Sequence, residues 1–490
     1  MERSAGILLP IFSLPSQYGI GSLGKEARAF ADFLRAAGQK WWQVLPVGPT
    51  GAGDSPYSSE STFAGNLLLI DLEGLAADGL LTKEELAEAV MPECDRIDYD
   101  TLRQRREPLL RRAFSRLDGE QAERVREFAA RTPWLRDYTL YRAVKTHFGG
   151  AAWYDWPEED LRRHDAMALA RWRIILAEEV AFHTCVQYWF FTQWAALKQY
   201  VNSLGIRIIG DIPIYVSLDS ADVWSEREQF LLDGEGKPSR VAGVPPDYFA
   251  EEGQLWGNPL YNWDYMKQDG FGWWIRRIDG VSKLFDTVRI DHFRGLESYW
   301  AVPADSETAK VGQWEKGPGM DLLRVLTSWF PHVSYLAEDL GTLTEEVHAL
   351  RRASGLPGMK VLEFAFDAPY NAYLPHNHEK NCICYTGTHD NDTVVGWYTQ
   401  AKEEERAFVK QYLGVEGTEE VRKAVLRCGM ASIADLFIAQ IQDYLGLGTG
   451  SRVNIPGVAK GNWGFRLKGG LTTPELAKEI RELTHTFARI

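Results

Sequence analysis

Short apolar runs bounded by turn residues alternate with amphipathic stretches along most of the chain. Such runs are typical of parallel strands buried on both faces, and the stretches between them, such as 25–36 and 321–329, have helical periodicity. Eight strands joined through helices by right-handed crossovers indicate a (β/α)8 barrel, the TIM-barrel fold. The eight runs predicted as strands are 6–12, 41–45, 206–212, 285–290, 333–337, 359–364, 381–386 and 451–454.

The spacing of these strands is uneven and places two long insertions in a single predicted domain over residues 1–490. A mostly helical insertion over 48–200 follows the second strand, and an insertion over 213–283, rich in Gly, Pro and aromatic residues, follows the third. Loops that leave the C-terminal strand ends build the functional face of a barrel, so we expect these insertions to wall in a cleft. The segment after the predicted eighth strand is too short for a C-terminal β-sandwich domain.

Charge and composition narrow the classes of partner. The 54 basic and 68 acidic side chains give a net charge of −14, which disfavours nucleic acid and anionic membrane surfaces. No apolar run reaches the roughly 18–20 residues of a membrane span, and the first residues lack an apolar signal core, so we expect a cytoplasmic protein. The 18 Trp, 20 Tyr and 22 Phe residues favour a carbohydrate ligand modestly, because aromatic rings stack on sugar faces.

The five cysteines are odd in number and scattered, which argues against a disulfide framework. Cys382 and Cys384 are close enough to suggest a metal site, but no His or Cys cluster completes four ligands. We therefore predict that both are core residues of a strand and that the protein holds no metal.

Carboxylates follow four of the predicted strands. Asp211, Asp291, Glu338 and Asp390 lie at the ends of the third, fourth, fifth and seventh strands. A single acid at a strand end is usually a helix cap or a surface ion pair, but four acids at one face of a barrel favour a catalytic site. Cleavage of an acetal requires an ionised carboxylate and a protonated one acting on opposite sides of one bond.

Local sequence separates the roles of two of these acids. Arg289 lies two residues before Asp291 and shares its face of the strand, so its positive charge favours an ionised nucleophile, although a purely structural ion pair is an alternative. Glu338 follows an apolar strand, and burial there raises its pKa and keeps it protonated near neutrality. The pattern therefore predicts Asp291 as nucleophile and Glu338 as general acid.

A competing motif, GIGSLG at 19–24, fits the dinucleotide fingerprint in a strand-to-helix context. The next strand, 41–45, carries no acid for a ribose hydroxyl, so a tight bend or a close backbone approach to a sugar is the better interpretation. We predict no organic cofactor.

Several motifs give the chain its resemblance to known enzymes. The four strand-end motifs are DIPI at 211–214, RIDHFRG at 289–295, AEDLG at 337–341 and THD at 388–390. Further motifs are RSAGILLP at 3–10, QVLPVGPT at 43–50, SPYSS at 55–59, GVPPDYF at 243–249, GQLWGNP at 253–259 and GNW at 461–463. The first set resembles the signature regions of the α-amylase clan, and the whole resembles the 4-α-glucanotransferases (amylomaltases or disproportionating enzymes) of glycoside hydrolase family 77.

The resemblance implies roles for particular residues. Asp291 would form a β-linked glycosyl-enzyme, Glu338 would act as acid and base, and Asp390 would stabilise the transition state, although THD at 388–390 could instead be a structural turn. The insertion over 213–283 would supply a lid and acceptor-side loop. The residues implied in substrate binding are Tyr57, Asp211, Arg289, His389, Tyr248, Gly253, Trp256 and Asn454.

The predicted function is a retaining 4-α-glucanotransferase that moves α-1,4-glucan segments from a donor maltooligosaccharide to an acceptor glucose or glucan by double displacement. Its partners would be α-1,4-glucans and maltooligosaccharides, and the protein would be a monomer or homodimer without metal or cofactor. Two rivals remain: an α-amylase-type hydrolase that gives the intermediate to water, and a catalytically idle maltodextrin-binding protein.

Overall fold

The computed structural model describes residues 2–246, 251–458 and 460–490. Its strands form an eight-stranded parallel sheet and a smaller four-stranded antiparallel sheet. In chain order the strands are β1 Ser4–Leu8, β2 Trp41–Gln43, β3 Arg207–Ile212, β4 Arg240–Val244, β5 Gln254–Pro259, β6 Thr287–Ile290, β7 Ser298–Pro303, β8 Gln313–Lys316, β9 Ser334–Ala337, β10 Gly358–Val361, β11 Cys382–Tyr385 and β12 Leu436–Gln440.

The parallel sheet confirms the predicted barrel. Its strand order is β10-β11-β12-β1-β2-β3-β6-β9, which is the chain order of the eight strands read around a circle. The two edge strands meet where the amide of Ala337 donates to the carbonyl of Pro357 at 3.0 Å. All eight C-terminal strand ends therefore open on one face, where barrel enzymes carry their active sites.

Seven of the predicted strands overlap barrel strands, and the eighth prediction is wrong. Residues 451–454 form no strand; Thr449–Ser451 is a short 3-10 helix, and a loop follows it. The closing strand is β12, which pairs with β1 over its five residues and with β11 on its other side. Strand β12 begins shortly after a helix that ends at Ala431, and another helix begins at Ile441 directly after it. In the sequence its apolar run therefore resembles part of a longer helix.

Helices surround the barrel and fill the first insertion. Those within or bordering 48–200 form a helical layer, and the last of them, α9, leads directly into β3. Within the described residues, no helix combines the length and apolar character needed to cross a membrane. The helices are α1 Lys25–Ala36, α2 Leu72–Ala77, α3 Lys83–Ala89, α4 Tyr99–Ser115, α5 Gly119–Ala130, α6 Leu135–His147, α7 Glu159–Arg162, α8 Ala166–Ile175, α9 Ala177–Ser203, α10 Ala221–Ser225, α11 Trp263–Gln268, α12 Gly272–Leu284, α13 Gly319–Trp329, α14 Glu345–Ser354, α15 Val394–Gln400, α16 Glu403–Leu413, α17 Thr418–Ala431, α18 Ile441–Leu445 and α19 Pro474–Thr486.

The small sheet lies beside the open face of the barrel. Its order is β5-β4-β7-β8, and β4 and β5 belong to the insertion over 213–283. Strand β7 begins seven residues after Asp291, so the sheet is tied to the end of the fourth barrel strand.

Apolar side chains fill the inside of the barrel. Strands contribute alternate residues to this interior, as the two-residue period of a strand requires. Residues further along the same face are polar: Ile209 is followed by Asp211 and Leu336 by Glu338. A dry interior thus ends in a charged layer at the open face. The interior cluster consists of Leu8, Trp41, Ile209, Leu336, Met359, Val361, Ile383, Tyr385, Leu436 and Ile438.

Candidate active site

The parallel ladder carries the acids into register with one another. Asp211 on β3 is paired with Arg289 on β6. The ladder continues one residue beyond the strands, because the amide of Asp291 donates to Ile212 at 3.1 Å and that of Glu338 donates to Ile290 at 3.1 Å. Backbone hydrogen bonds therefore position the third, fourth and fifth strand ends together.

Arg289 joins two carboxylates. Its Nη1 donates to Asp211 Oδ2 at 2.5 Å and to Asp291 Oδ1 at 2.9 Å, and the hydroxyl of Tyr57 donates to the same oxygen of Asp211 at 2.8 Å. The side chain of Asp211 is fully buried, whereas that of Asp291 is 27% exposed. Asp291 is thus the accessible carboxylate of a group whose other charges are enclosed.

Glu338 is held by two backbone amides. The N–H of His292 donates to its Oε2 at 2.7 Å and the N–H of Leu340 to its Oε1 at 3.0 Å. Burial raises the pKa of Glu338, the charge of Arg289 opposes this and that of Asp291 supports it, and the net result is a pKa of about 8. The carboxyl is therefore protonated at neutral pH. When it loses the proton, the N–H groups of His292 and Leu340 stabilise the resulting anion. This direction agrees with the expectation from the sequence.

His292 has an unusual backbone conformation that serves this contact. Its φ of 49° lies in the left-handed region, which is costly for a residue with a side chain. The turn lies one residue after Asp291 and directs the N–H of His292 toward the carboxyl of Glu338. Burial lowers the pKa of His292 to about 3, so the ring stays neutral.

Asp390 lies on a tight turn after β11. Its side chain is 41% exposed, accepts a hydrogen bond from Asn454 Nδ2 at 2.6 Å and lies 3.4 Å from His389 Nε2. Burial lowers the pKa of His389, against the attraction of Asp390. Asn454 is fixed in turn by its own amide, which donates to the carbonyl of His389 at 3.1 Å. The loop after the 3-10 helix therefore supports the third accessible acid.

Aromatic rings flank this group. Tyr57 stacks on His389 with ring centres 5.2 Å apart and planes 15° apart, and Trp463 contacts both rings at 5.6 and 5.9 Å. Flat, partly apolar surfaces of this kind accommodate sugar rings.

Two more of the predicted residues, Gly253 and Trp256, lie beside or on the small sheet. Trp256 on β5 meets the ring of His292 edge-on at 4.7 Å, which places it beside the fourth strand end. Gly253 precedes β5 with a φ of 67°, where an added Cβ would lie 2.4 Å from the carbonyl of Val244. Tyr248 lies outside the described residues.

Sequence reasoning did not select three groups that the structure brings to the site. Trp463 contacts the rings of Tyr57 and His389, Arg452 donates to the carbonyl of Asp390, and the carboxyl of Glu363 is buried beside Gly387, next to the 388–391 turn. Trp463 lies in the GNW motif and Arg452 in the segment RVNIPG at 452–457, which also holds Asn454, whereas no motif pointed to Glu363. Among the described residues, no three His, Cys, Asp or Glu side chains are grouped to hold a metal ion.

Comparisons with known proteins agree over the whole chain. A sequence model of the 4-alpha-glucanotransferase family matches residues 9–472. A 4-alpha-glucanotransferase of Thermus thermophilus is 48% identical over 503 residues, covering 100% of both chains, and that of Aquifex aeolicus is 47% identical over 491 residues, covering 99% of both. Among solved structures, an amylomaltase from Streptococcus agalactiae in complex with acarbose matches with a TM-score of 0.97 and 38% identity, covering 100% of both chains.

Proposed function

The chain belongs to the 4-alpha-glucanotransferase family, and from this premise we propose that it moves α-1,4-glucan segments from a donor maltooligosaccharide to an acceptor glucose or glucan with retention of configuration. One observation carries the proposal: Asp291, Glu338 and Asp390 are the partly exposed acids of a group in which Asp211, Arg289 and His389 are buried. Three carboxyl groups can therefore contact one sugar unit, while the buried side chains of Asp211, Arg289 and His389 orient them and shape their electrostatic surroundings.

Asp291 acts as the nucleophile of the first displacement. Its Oδ attacks the anomeric carbon of the donor while the bond from that carbon to the leaving O4 breaks, giving a glycosyl ester of Asp291. Arg289, whose Nη1 donates to Oδ1 at 2.9 Å, orients the carboxylate for this attack.

Glu338 supplies and recovers the proton. In the first step it protonates the leaving O4, and the resulting anion is stabilised by the amides of His292 and Leu340. In the second step it takes the proton of the acceptor's 4-hydroxyl as that oxygen attacks the anomeric carbon and frees Asp291. The pKa of about 8 suits both directions near neutrality.

The other groups hold the reacting sugar. Asp390, oriented by Asn454 and His389, accepts hydrogen bonds from sugar hydroxyls as positive charge develops at the anomeric carbon. The ring of Tyr57 and the buried carboxylate of Asp211 line the same subsite, and Trp256 lies on the acceptor side with Gly253 in the covering loop. A partly dry pocket favours a sugar hydroxyl over water as the second nucleophile.

Product analysis with maltotriose alone tests the reaction. We expect glucose and a ladder of longer oligosaccharides, with new linkages in the α configuration by NMR. Products that are only shorter would favour an α-amylase-type hydrolase.

The Asp291→Ala variant separates the enzyme from a maltodextrin-binding protein. We expect turnover to fall by at least about 10⁴-fold, because the variant lacks the carboxylate that forms the glycosyl ester. Unchanged turnover in this variant would exclude Asp291 as the nucleophile.

A further inference from the structure

Glu363 is a buried acid that the proposed reaction does not use. It follows β10 in the 3-10 turn Leu362–Phe364, and its side chain is enclosed, with 7% of the residue exposed. Its Oε1 has no hydrogen-bond partner among the described residues. A buried carboxyl in this state is costly when charged, so its presence next to the site calls for a physical reason.

The carboxyl lies against the backbone of the turn that carries Asp390. A Cβ placed on Gly387 would lie 2.7 Å from Glu363 Oε1 and 3.0 Å from the Cβ of Asn391, so both side chains flank the same glycine. The side-chain amide of Asn391 lies near enough to the Glu363 carboxyl to lower its pKa, an effect smaller than that of burial. The sixth and seventh strand ends therefore meet through this pair of side chains.

Hydrogen bonds connect Asn391 to Asp390. Asn391 Oδ1 accepts from both the amide and the hydroxyl of Thr388, each at 2.9 Å. The hydroxyl oxygen of Thr388 in turn accepts from the amide of Asp390 at 3.2 Å. One end of the Asn391 amide thus fixes the turn, and the other faces Glu363.

Four surrounding elements determine the charge near this carboxyl. The loop after β11 contributes Asp392, α18 contributes Asp443 and the loop before Asn454 contributes Arg452, whereas β12 contributes the neutral Gln440. Burial raises the pKa of Glu363 well above its usual range, and Asp443 and Asp392 raise it further, against Arg452. These contributions together favour the uncharged form of the carboxyl.

We propose that Glu363 is a positioning residue that, in its uncharged form, anchors Asn391 and thereby holds the turn that presents Asp390 to the substrate. The inference rests on the proposed function of Asp390 and adds a residue from the sixth strand to the site.

A double-mutant cycle measures the coupling between the two acids. We expect Glu363→Ala to lower kcat/KM for maltotriose disproportionation by about 10–100-fold, but to cost less than about 2-fold in an Asp390→Asn background, because the residue acts through Asp390. Equal losses in both backgrounds would overturn the proposal. If Glu363→Ala does not fold, Glu363→Met, which keeps the length of the side chain but removes both carboxyl oxygens, takes its place in the cycle.

A matched control comes from Asp222, another buried acid, whose pKa burial raises to about 7. It accepts a hydrogen bond from the amide of Thr62 at 2.9 Å and makes no hydrogen bond to the 388–391 turn among the described residues. Asp222→Ala should cost the same factor with and without Asp390→Asn. Non-additivity as large as that of Glu363→Ala would show general loosening and contradict the proposal.

The neutral isostere tests the charge state. Glu363→Gln should keep kcat/KM within about 2-fold of the wild type, because an amide replaces a protonated carboxyl. In the wild type, the folded state keeps Glu363 protonated, whereas the unfolded chain releases that proton above about pH 4.3; Glu363→Gln has no such proton. The melting temperature of the wild type should therefore fall relative to that of the variant as pH rises toward 9. A constant difference, or a large loss of activity in Glu363→Gln, would show that Glu363 is ionised and would overturn the proposal.

The outcomes distinguish this inference from the proposed function. If the wild type gives no oligosaccharide ladder, the proposed function fails. A ladder without coupling between Glu363 and Asp390 contradicts the positioning role alone.

Discussion

Two buried arginines at opposite ends of the barrel have different partners. Arg289, at the open face, donates to the carboxylates of Asp211 and Asp291. Arg489, near the starts of β1 and β12, is fully buried and donates to backbone carbonyls. Those carbonyls belong to Met430, Ser4, Asp435, Ser432 and Ala434.

The partners determine the electrostatics of each arginine. Burial opposes the charge of Arg289, but Asp211 and Asp291 outweigh it and raise its pKa well above the usual value. Burial lowers the pKa of Arg489 to about 10, and the nearby charge of Arg3 adds to this effect. An arginine paired with an accessible carboxylate can therefore serve a reaction, whereas one that satisfies backbone carbonyls serves the closure of the barrel.

The largest expected effect concerns the open face. Glu338→Gln keeps the shape of the side chain but removes the proton that the leaving oxygen needs, so we expect kcat/KM to fall by about 10³–10⁴-fold. The measurement is the initial rate of glucose release from maltotriose, with circular dichroism to show an intact fold. Activity within about tenfold of the wild type would exclude Glu338 as the acid.

The closed end should respond in stability instead. Arg489→Met removes the buried guanidinium and the hydrogen bonds that it donates to five backbone carbonyls, and we expect the free energy of unfolding to fall by about 3–4 kcal/mol. Urea unfolding measures this change, and Arg489→Lys is the control that restores part of it. The rate per folded molecule should stay at the wild-type value; a slowed reaction would show that the two ends are coupled.

A milder change at the open face is Arg289→Lys. It keeps the positive charge but replaces the guanidinium by a shorter, more strongly hydrated ammonium, so we expect kcat/KM to fall by about 10–100-fold. Steady-state kinetics on maltotriose measure the loss. If the variant instead unfolds at much lower urea while its folded fraction keeps full activity, Arg289 resembles Arg489 and the contrast fails.

The smallest effect is expected from pH alone. Glu338, with a pKa raised to about 8, loses its proton as pH rises through that value, so kcat/KM should fall and approach a tenfold loss per unit above it. Arg489 keeps its charge over the same range, because its pKa is about 10. A rate that stays flat up to about pH 9.5 would show that the proton comes from another group.

Local pattern was sufficient for most of the barrel. The runs at 206–212 and 333–337 overlap β3 and β9 closely, because a strand buried on both faces needs a short apolar segment wherever it lies. The same logic failed at the eighth strand. Leu436–Gln440 is as apolar as the other strands, but it lies between α17 and α18, and no Gly or Pro in the sequence marks it off from a helix. Its pairing with β1 in the structure identifies it as a strand.

The sequence by itself determined which acids could meet, because the two-residue period and the strand ends are local properties of the chain. Asp211, Asp291, Glu338 and Asp390 followed from that pattern and from family resemblance. Tertiary structure alone decided which of these acids stay accessible and how far burial raises the pKa of Glu338. It also placed Glu363 beside the turn that carries Asp390. Those properties depend on atoms from distant segments, and only the closed barrel brings such segments into contact.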